Sequence, residues 1–165
     1  REYTNEDAER SIECVKATVS AARSVRARYG ISPKETLAMV VSAEELSLVN
    51  ILEVEAEFIA KLANLSTFRV GVNEDKPAQS VAAVAAGLTM YIPLEGFVDF
   101  DAEREKLKKQ AEKLGKDLEK FDKKLNNPGF LAKAAPEIVE SDRAKAEKLR
   151  GEVEAIMQQI AELDA

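Results

Sequence analysis

The sequence of 165 residues predicts an α+β protein, in which a small β-α-β-β domain is preceded by a helix and followed by a long antiparallel two-helix coiled coil. Three observations predict it. Apolar residues recur every three or four positions before Gly30, and short, partly β-branched runs alternate with turn residues between 35 and 98. After Asp99 two apolar seams of equal length flank the turn Asn126-Asn127-Pro128-Gly129.

Thr4 and Asn5, followed by Glu6 and Asp7, form a helix start, because short polar oxygens satisfy free backbone amides and acidic groups suit the positive end of the helix dipole. The helix runs to about Tyr29, buries Ala8, Ile12, Val15, Val19, Ala22 and Val25, and stops at Gly30 with Pro33 three residues on. Leu37 to Val41, inside the stretch 35 to 42, read as a buried strand. Ser42-Ala43-Glu44-Glu45 then has the spacing of a capping box. It opens a second helix to about Asn64 that buries Leu48, Ile51, Leu52, Phe58, Ile59 and Leu62. Strands at 67 to 72, 80 to 86 and 88 to 93 come next, with Asn73 to Pro77 as a polar loop and Gly87 as the break between the last two.

Beyond Asp99, Phe100, Arg104, Leu107, Ala111, Leu114, Leu118, Phe121 and Leu125 step by alternating fours and threes. Val139, Asp142, Ala146, Leu149, Val153, Ile156, Ile160 and Leu163 do the same. Folding the second series back on the first makes a hairpin in which Phe121 faces the region of Val139, with arms of roughly 40 Å at 1.5 Å per residue. The domain divisions are therefore 1–34, 35–98 and 99–165.

Composition excludes several classes of function. Histidine is absent, which removes the commonest general base, the Ser-His and Cys-His nucleophile pairs and nearly every zinc site. Seven glycines without a phosphate-loop pattern, and acidic clusters that do not converge, leave no catalytic, metal or cofactor site to assign. Glu44 and Glu45 serve the cap, and Glu53, Glu55 and Glu57 face solvent. The single Cys14 lies off the apolar series of its helix, as an incidental thiol in a reducing cytoplasm. The longest apolar stretch, Ser80 to Pro93, is too short and interrupted to span a bilayer, so no membrane partner is expected. The first residue is Arg1 rather than Met, and a fragment of a larger protein is expected.

The formal net charge of -6 conceals a basic limb. Residues 104–133 carry 10 basic and 5 acidic side chains, whereas 136–165 carry 4 and 8. Lys106, Lys109, Lys113, Lys116, Lys120 and Lys123 step by threes and fours along one outer face. One reading is a track of ammonium groups against a phosphate backbone, and the other is a solvated coiled-coil exterior. At the turn, Asn126, Asn127, Phe130 and Lys133 offer stacking and phosphate contacts to a looped nucleic acid; alternatively Phe130 closes the end of the hairpin core. Arg23, Arg26 and Arg28 near the end of the first helix either meet an anion or complement the helix dipole.

Three blocks carry a resemblance. Arg23-Ser24-Val25-Arg26-Ala27-Arg28-Tyr29-Gly30-Ile31-Ser32-Pro33-Lys34, Tyr91 to Asp99, and Lys124 to Val139 with its Asn-Asn-Pro-Gly-Phe-Leu-Ala-Lys core resemble, in order, the C-terminal region of valyl-tRNA synthetases. The resemblance implies a class I aminoacyl-tRNA synthetase that uses ATP to join valine to tRNA, with none of that chemistry in this chain. It has no His, and none of Met39, Met90 or Met157 stands in a Lys-Met-Ser-Lys-Ser context. The family's organisation implies the final helix of an anticodon-binding domain over 1–34, a small α/β domain over 35–98 and a tRNA-binding arm over 99–165. The arm would lie on the outer corner of tRNA through the six stripe lysines and the tip residues Asn126, Asn127, Phe130 and Lys133. The rival is a coiled-coil protein-interaction or oligomerisation module, on which the polar seam residues Arg104 and Asp142 bear. The first reading expects a monomer, which separates it from the second.

Overall fold

The computed structural model describes residues 5–164, so the Thr4 part of the first helix start lies outside the described residues. The chain divides into two compact units between Val98 and Asp99.

In the first unit, helix α1 (Asn5–Tyr29) leads to strand β1 (Leu37–Ala43), helices α2 (Leu46–Val54) and α3 (Ala56–Ala63), and strands β2 (Leu65–Val72), β3 (Ser80–Ala85) and β4 (Leu88–Pro93). The sheet order is β2-β1-β4-β3, with β1 and β2 parallel and the pairs β1/β4 and β3/β4 antiparallel. Burial alternates along β1 and β4, because successive side chains point to opposite faces. Val41 pairs with Met90 and Ala43 with Leu88, which places these buried residues on one face. Helices α1, α2 and α3 pack on the sheet, and Leu52 and Ile59 are completely buried.

Several local expectations change. The buried face of α1 carries Cys14, Thr18, Ala21, Ala22 and Val25, whereas Ala8 is exposed and Ile12 is 54% exposed. Thr18 tolerates an interior position because its hydroxyl donates to Cys14 O and Val15 O at 3.0 Å each. Cys14 is therefore a core residue and not an outlying thiol, and burial raises its pKa. The capping box does not form. Ser42 belongs to β1 and its hydroxyl accepts the Glu74 N–H at 3.0 Å, while Glu45 occupies the N-cap without capping the helix amides, its carboxylate accepting the Ser47 hydroxyl at 3.0 Å instead.

The single second helix is two helices. Glu55, at φ -90° and ψ 3°, separates them, and its N–H still bonds to Ile51 O. The restart turns Ile59 and Ala63 inward and leaves Phe58 and Leu62 exposed, with Ile51 half-buried. Asn64 then ends α3 in the left-handed conformation at φ 52°, which short polar residues tolerate, so β2 begins at Leu65 rather than at 67. Ala86 (φ 54°) and Gly87 (φ 73°) make the two-residue β3–β4 turn. Successive positive φ values suit the right-handed twist of a hairpin.

Arg26 is buried at 8% exposure and ties three segments together. Nη1 donates to Ser32 O and Glu35 O at 3.1 and 2.6 Å, and Nη2 to Ala63 O and Asn64 O at 2.9 and 3.1 Å. Three of these carbonyls also accept a second donor, Ser32 O from the Glu35 N–H (3.0 Å), Asn64 O from the Leu37 N–H (3.2 Å) and Glu35 O from Asn64 Nδ2 (3.3 Å), so the guanidinium joins a network where α3 ends and the chain enters β1. Desolvation lowers the Arg26 pKa, yet four carbonyl acceptors suit its planar fork.

In the second unit, α4 (Phe100–Leu125) and α6 (Pro136–Asp164) pack along each other, joined through a short helix α5 (Pro128–Lys133). Asp99 caps α4 by accepting the Ala102 N–H at 3.1 Å. Three cross-pairs set the antiparallel register: Arg104 with Asp164 (2.5 Å), Asp122 with Arg150 (3.3 Å) and Lys124 with Asp142 (2.8 Å). Phe121 consequently lies opposite Lys145, Lys148 and Leu149, not Val139. The heptad pattern defines which face is apolar but is unchanged by sliding one helix along the other, so a longer connection through α5 moves the register without disturbing either seam.

Candidate nucleic-acid interface

The outer face of α4 displays Lys106, Lys109, Lys113, Lys116, Lys120 and Lys123, all exposed. An α-helix turns 3.6 residues per turn, so steps of three and four keep the six ammonium groups on one stripe. Lys116 pairs with Glu112 at 3.4 Å, Lys120 with Asp117 at 3.8 Å and Lys123 with Glu119 at 3.0 Å. Exposed pairs of this kind hold their partners weakly, by about 0 to 1 kcal/mol, and exchange readily for a phosphate. Among the described residues Lys106, Lys109 and Lys113 form no ion pair.

The tip is more structured than a simple turn. Asn127 caps α5 by accepting the Gly129 N–H at 2.9 Å, and Pro128 takes the first helical turn, where its missing N–H costs nothing. Asn126 closes α4 through its backbone N–H, which bonds to Asp122 O at 2.9 Å, and its side chain is exposed. Lys133 is exposed at the end of α5. Phe130 is half-buried, and Lys124 Nζ sits 4.7 Å from its ring centre. The same ammonium lies 2.8 Å from Asp142 Oδ2 and supplies the counter-charge for this buried carboxylate. Arg104 holds Asp101 as well as Asp164, and the hydrogen bond it donates to Asp164 raises its pKa.

Beside the stripe, a groove of about 560 Å³ runs between α4 and α6. Lys120 and Lys124 line it from one helix and Lys145 and Lys148 from the other, with Phe121 and Leu149 between them and Asp117 and Glu152 also present. Sequence reasoning missed Lys124, Lys145 and Lys148. Their spacing beside the seams marks them as flanking residues, but only the helix register brings them together.

The buried Arg26 is not available to an anion, since its Nη1 and Nη2 donors serve backbone carbonyls. Arg28 stacks over Tyr29, 5.2 Å from the ring centre. Among the described residues no group of three acidic or cysteine side chains is placed to hold a metal, and no helix is long and apolar enough to cross a membrane.

Residues 99–164 match the family described as the valyl tRNA synthetase tRNA binding arm. The match covers the unit that bears the lysine stripe, the tip and the groove. The similarity extends over nearly all of the chain: it is 31% identical over 161 residues to the valine–tRNA ligase of Lacticaseibacillus casei, covering 98% of this chain and 18% of that protein. The 99–164 unit belongs to the tRNA-binding-arm family of valyl-tRNA synthetases. The enzymes of Nitratidesulfovibrio vulgaris (36% over 152 residues, 90% of this chain and 17% of that protein) and Carboxydothermus hydrogenoformans (33% over 162 residues, 98% and 18%) are similar in the same way. The chain thus spans under a fifth of the length of these valyl-tRNA synthetase relatives.

Proposed function

We propose that this chain is a non-catalytic, tRNA-binding region of a valine–tRNA ligase, whose hairpin arm contacts the backbone and loops at the outer corner of tRNA. The observation that carries the reading is the coincidence of the family match at 99–164 with an unbroken stripe of six exposed lysines on α4. Phosphate contacts from such a stripe set position and supply affinity without reading sequence. Asn126, Asn127, Phe130 and Lys133 extend the surface to the tip, where unstacked bases and a neighbouring phosphate are the natural ligands.

On this reading the parent enzyme uses ATP to attach valine to its tRNA in the cytoplasm, with the chemistry carried by residues outside this chain. The -4 balance of the second helix limb would then oppose adhesion away from the basic face. The α4 seam is filled by α6 of the same chain, which supports a monomer over a module that pairs through those seams. A gel shift with an unmodified tRNA transcript at two salt concentrations, with sedimentation of the free protein, tests the proposal. Binding that weakens with salt, by a monomer, supports it. A tight dimer indifferent to tRNA would replace it with the oligomerisation reading.

A further inference from the structure

The groove between α4 and α6 has a composition that neither a coiled-coil seam nor a solvated surface requires. Four lysines from two helices rim a floor made by Phe121 and Leu149. Lys145 and Lys148 are exposed and form no ion pair among the described residues, although α6 carries acidic side chains in excess. Two of the 4 basic residues in the stretch 136–165 are therefore spent on this one site. Asp117 and Glu152 leave the rim with a positive balance.

We propose that this groove is a second RNA-binding element of the arm, in which a looped strand places phosphates against Lys145 and Lys148 across from Lys120, with an unpaired base on Phe121. The proposal rests on the reading of the arm as tRNA-binding and adds to it a site on α6 and an aromatic platform distinct from the α4 stripe. The chemistry divides between the two parts of the groove. Ammonium groups pair with phosphate oxygens, which the apolar floor cannot do, while an aromatic ring accepts the face of any base. An aliphatic partner would suit the floor but leave four cations desolvated without counter-charge. Lys120 belongs both to the stripe and to the groove, so one backbone can pass from the outer face of α4 into it.

The test measures binding of an unmodified tRNA transcript to the 165-residue chain across a salt series, for the parent, Lys145→Gln/Lys148→Gln, Phe121→Leu and the control Arg143→Gln, an exposed residue of α6 outside the groove. Two lost phosphate contacts should flatten the slope of log affinity against log salt by about 1.4 to 1.8, at about 0.7 to 0.9 per contact. Phe121→Leu should weaken binding at least about fivefold with the slope unchanged, and Arg143→Gln should do neither. Thermal melting of each variant shows whether the hairpin is intact. If the parent binds and the double variant keeps both its affinity and its slope, the groove is not an RNA site, while the tRNA-binding reading of the arm stands. If instead an acidic peptide occupies the groove and tRNA does not compete with it, the proposed occupant is wrong. If the parent itself does not bind, the reading of the arm fails and the groove proposal falls with it.

Discussion

Lys124 on α4 and Asp142 on α6 meet at 2.8 Å, with the carboxylate side chain 7% exposed and the lysine 44% exposed. One end of the pair is buried and the other is wet. Both polar seam positions take a partner from the opposite helix, since Arg104 holds Asp164 in the same way at the other end of the hairpin. Charge pairs at two ends can select one register among the heptad-spaced alternatives that apolar contacts leave nearly equal in energy.

Removing Lys124 leaves a buried carboxylate without its counter-charge. Lys124→Met should lower stability by about 1 to 2 kcal/mol, less than for a fully buried pair because water screens the lysine end. A double-mutant cycle with Asp142→Asn, measured by urea denaturation, should give a coupling energy of about 0.5 kcal/mol or more. Strict additivity would show that the pair does not set the register.

Arg26 is expected to be the most sensitive polar position of the first unit. Its buried guanidinium serves four backbone carbonyls, and Arg26→Ala removes all four bonds at once, leaving Ser32 O, Glu35 O and Asn64 O to their second donors. The loss should be about 3 kcal/mol or more, and Arg26→Lys should recover little because a single ammonium cannot reproduce the fork. Urea titration monitored by far-UV circular dichroism measures both. A loss below about 1 kcal/mol for Arg26→Ala would contradict this role.

The β3–β4 turn offers a change in the opposite direction. Ala86 holds φ 54°, a conformation that costs an L residue with a Cβ roughly 1 kcal/mol and that Asn accepts more readily. Ala86→Asn should raise stability by about 0.5 to 1 kcal/mol. Gly87→Ala should lower it, since the new Cβ would sit 3.1 Å from Leu48 Cδ1 at a position with φ 73°. Thermal unfolding of the two variants should move in opposite directions.

A chain ending at Val98 should fold, because the sheet and α1 to α3 bury their own apolar faces within one compact unit. A dispersed amide spectrum is expected, and random-coil dispersion would show that the unit depends on residues beyond Val98.

Much of this organisation is legible in the sequence. The seams give α4 and α6, the Gly87 break gives the hairpin, and the lysine spacing gives the stripe. Other features depend on contacts that a local pattern does not encode. No Gly or Pro marks the interruption at Glu55, and Ser42 has the spacing of a cap but spends its hydroxyl on an amide 32 residues away. Arg26 finds carbonyls 37 and 38 residues on, where side-chain type gives no signal because every residue has a carbonyl. The groove lysines illustrate the same limit: periodicity assigns Lys145 and Lys148 to a helix face, but their position opposite Lys120 depends on a register that a repeating seam leaves open.

The central claim is that the arm holds tRNA through phosphate contacts along α4. Its most direct test is the salt dependence of tRNA affinity for the parent chain and for the triple variant Lys113→Gln/Lys116→Gln/Lys120→Gln. These residues are exposed, so stability should stay within about 0.5 kcal/mol per site. The account predicts weaker binding and a slope flatter by about 2 to 3, from somewhat under one unit for each lost contact. A triple variant that binds tRNA as tightly as the parent, with the same salt slope, would contradict it and reduce the stripe to a solvated face.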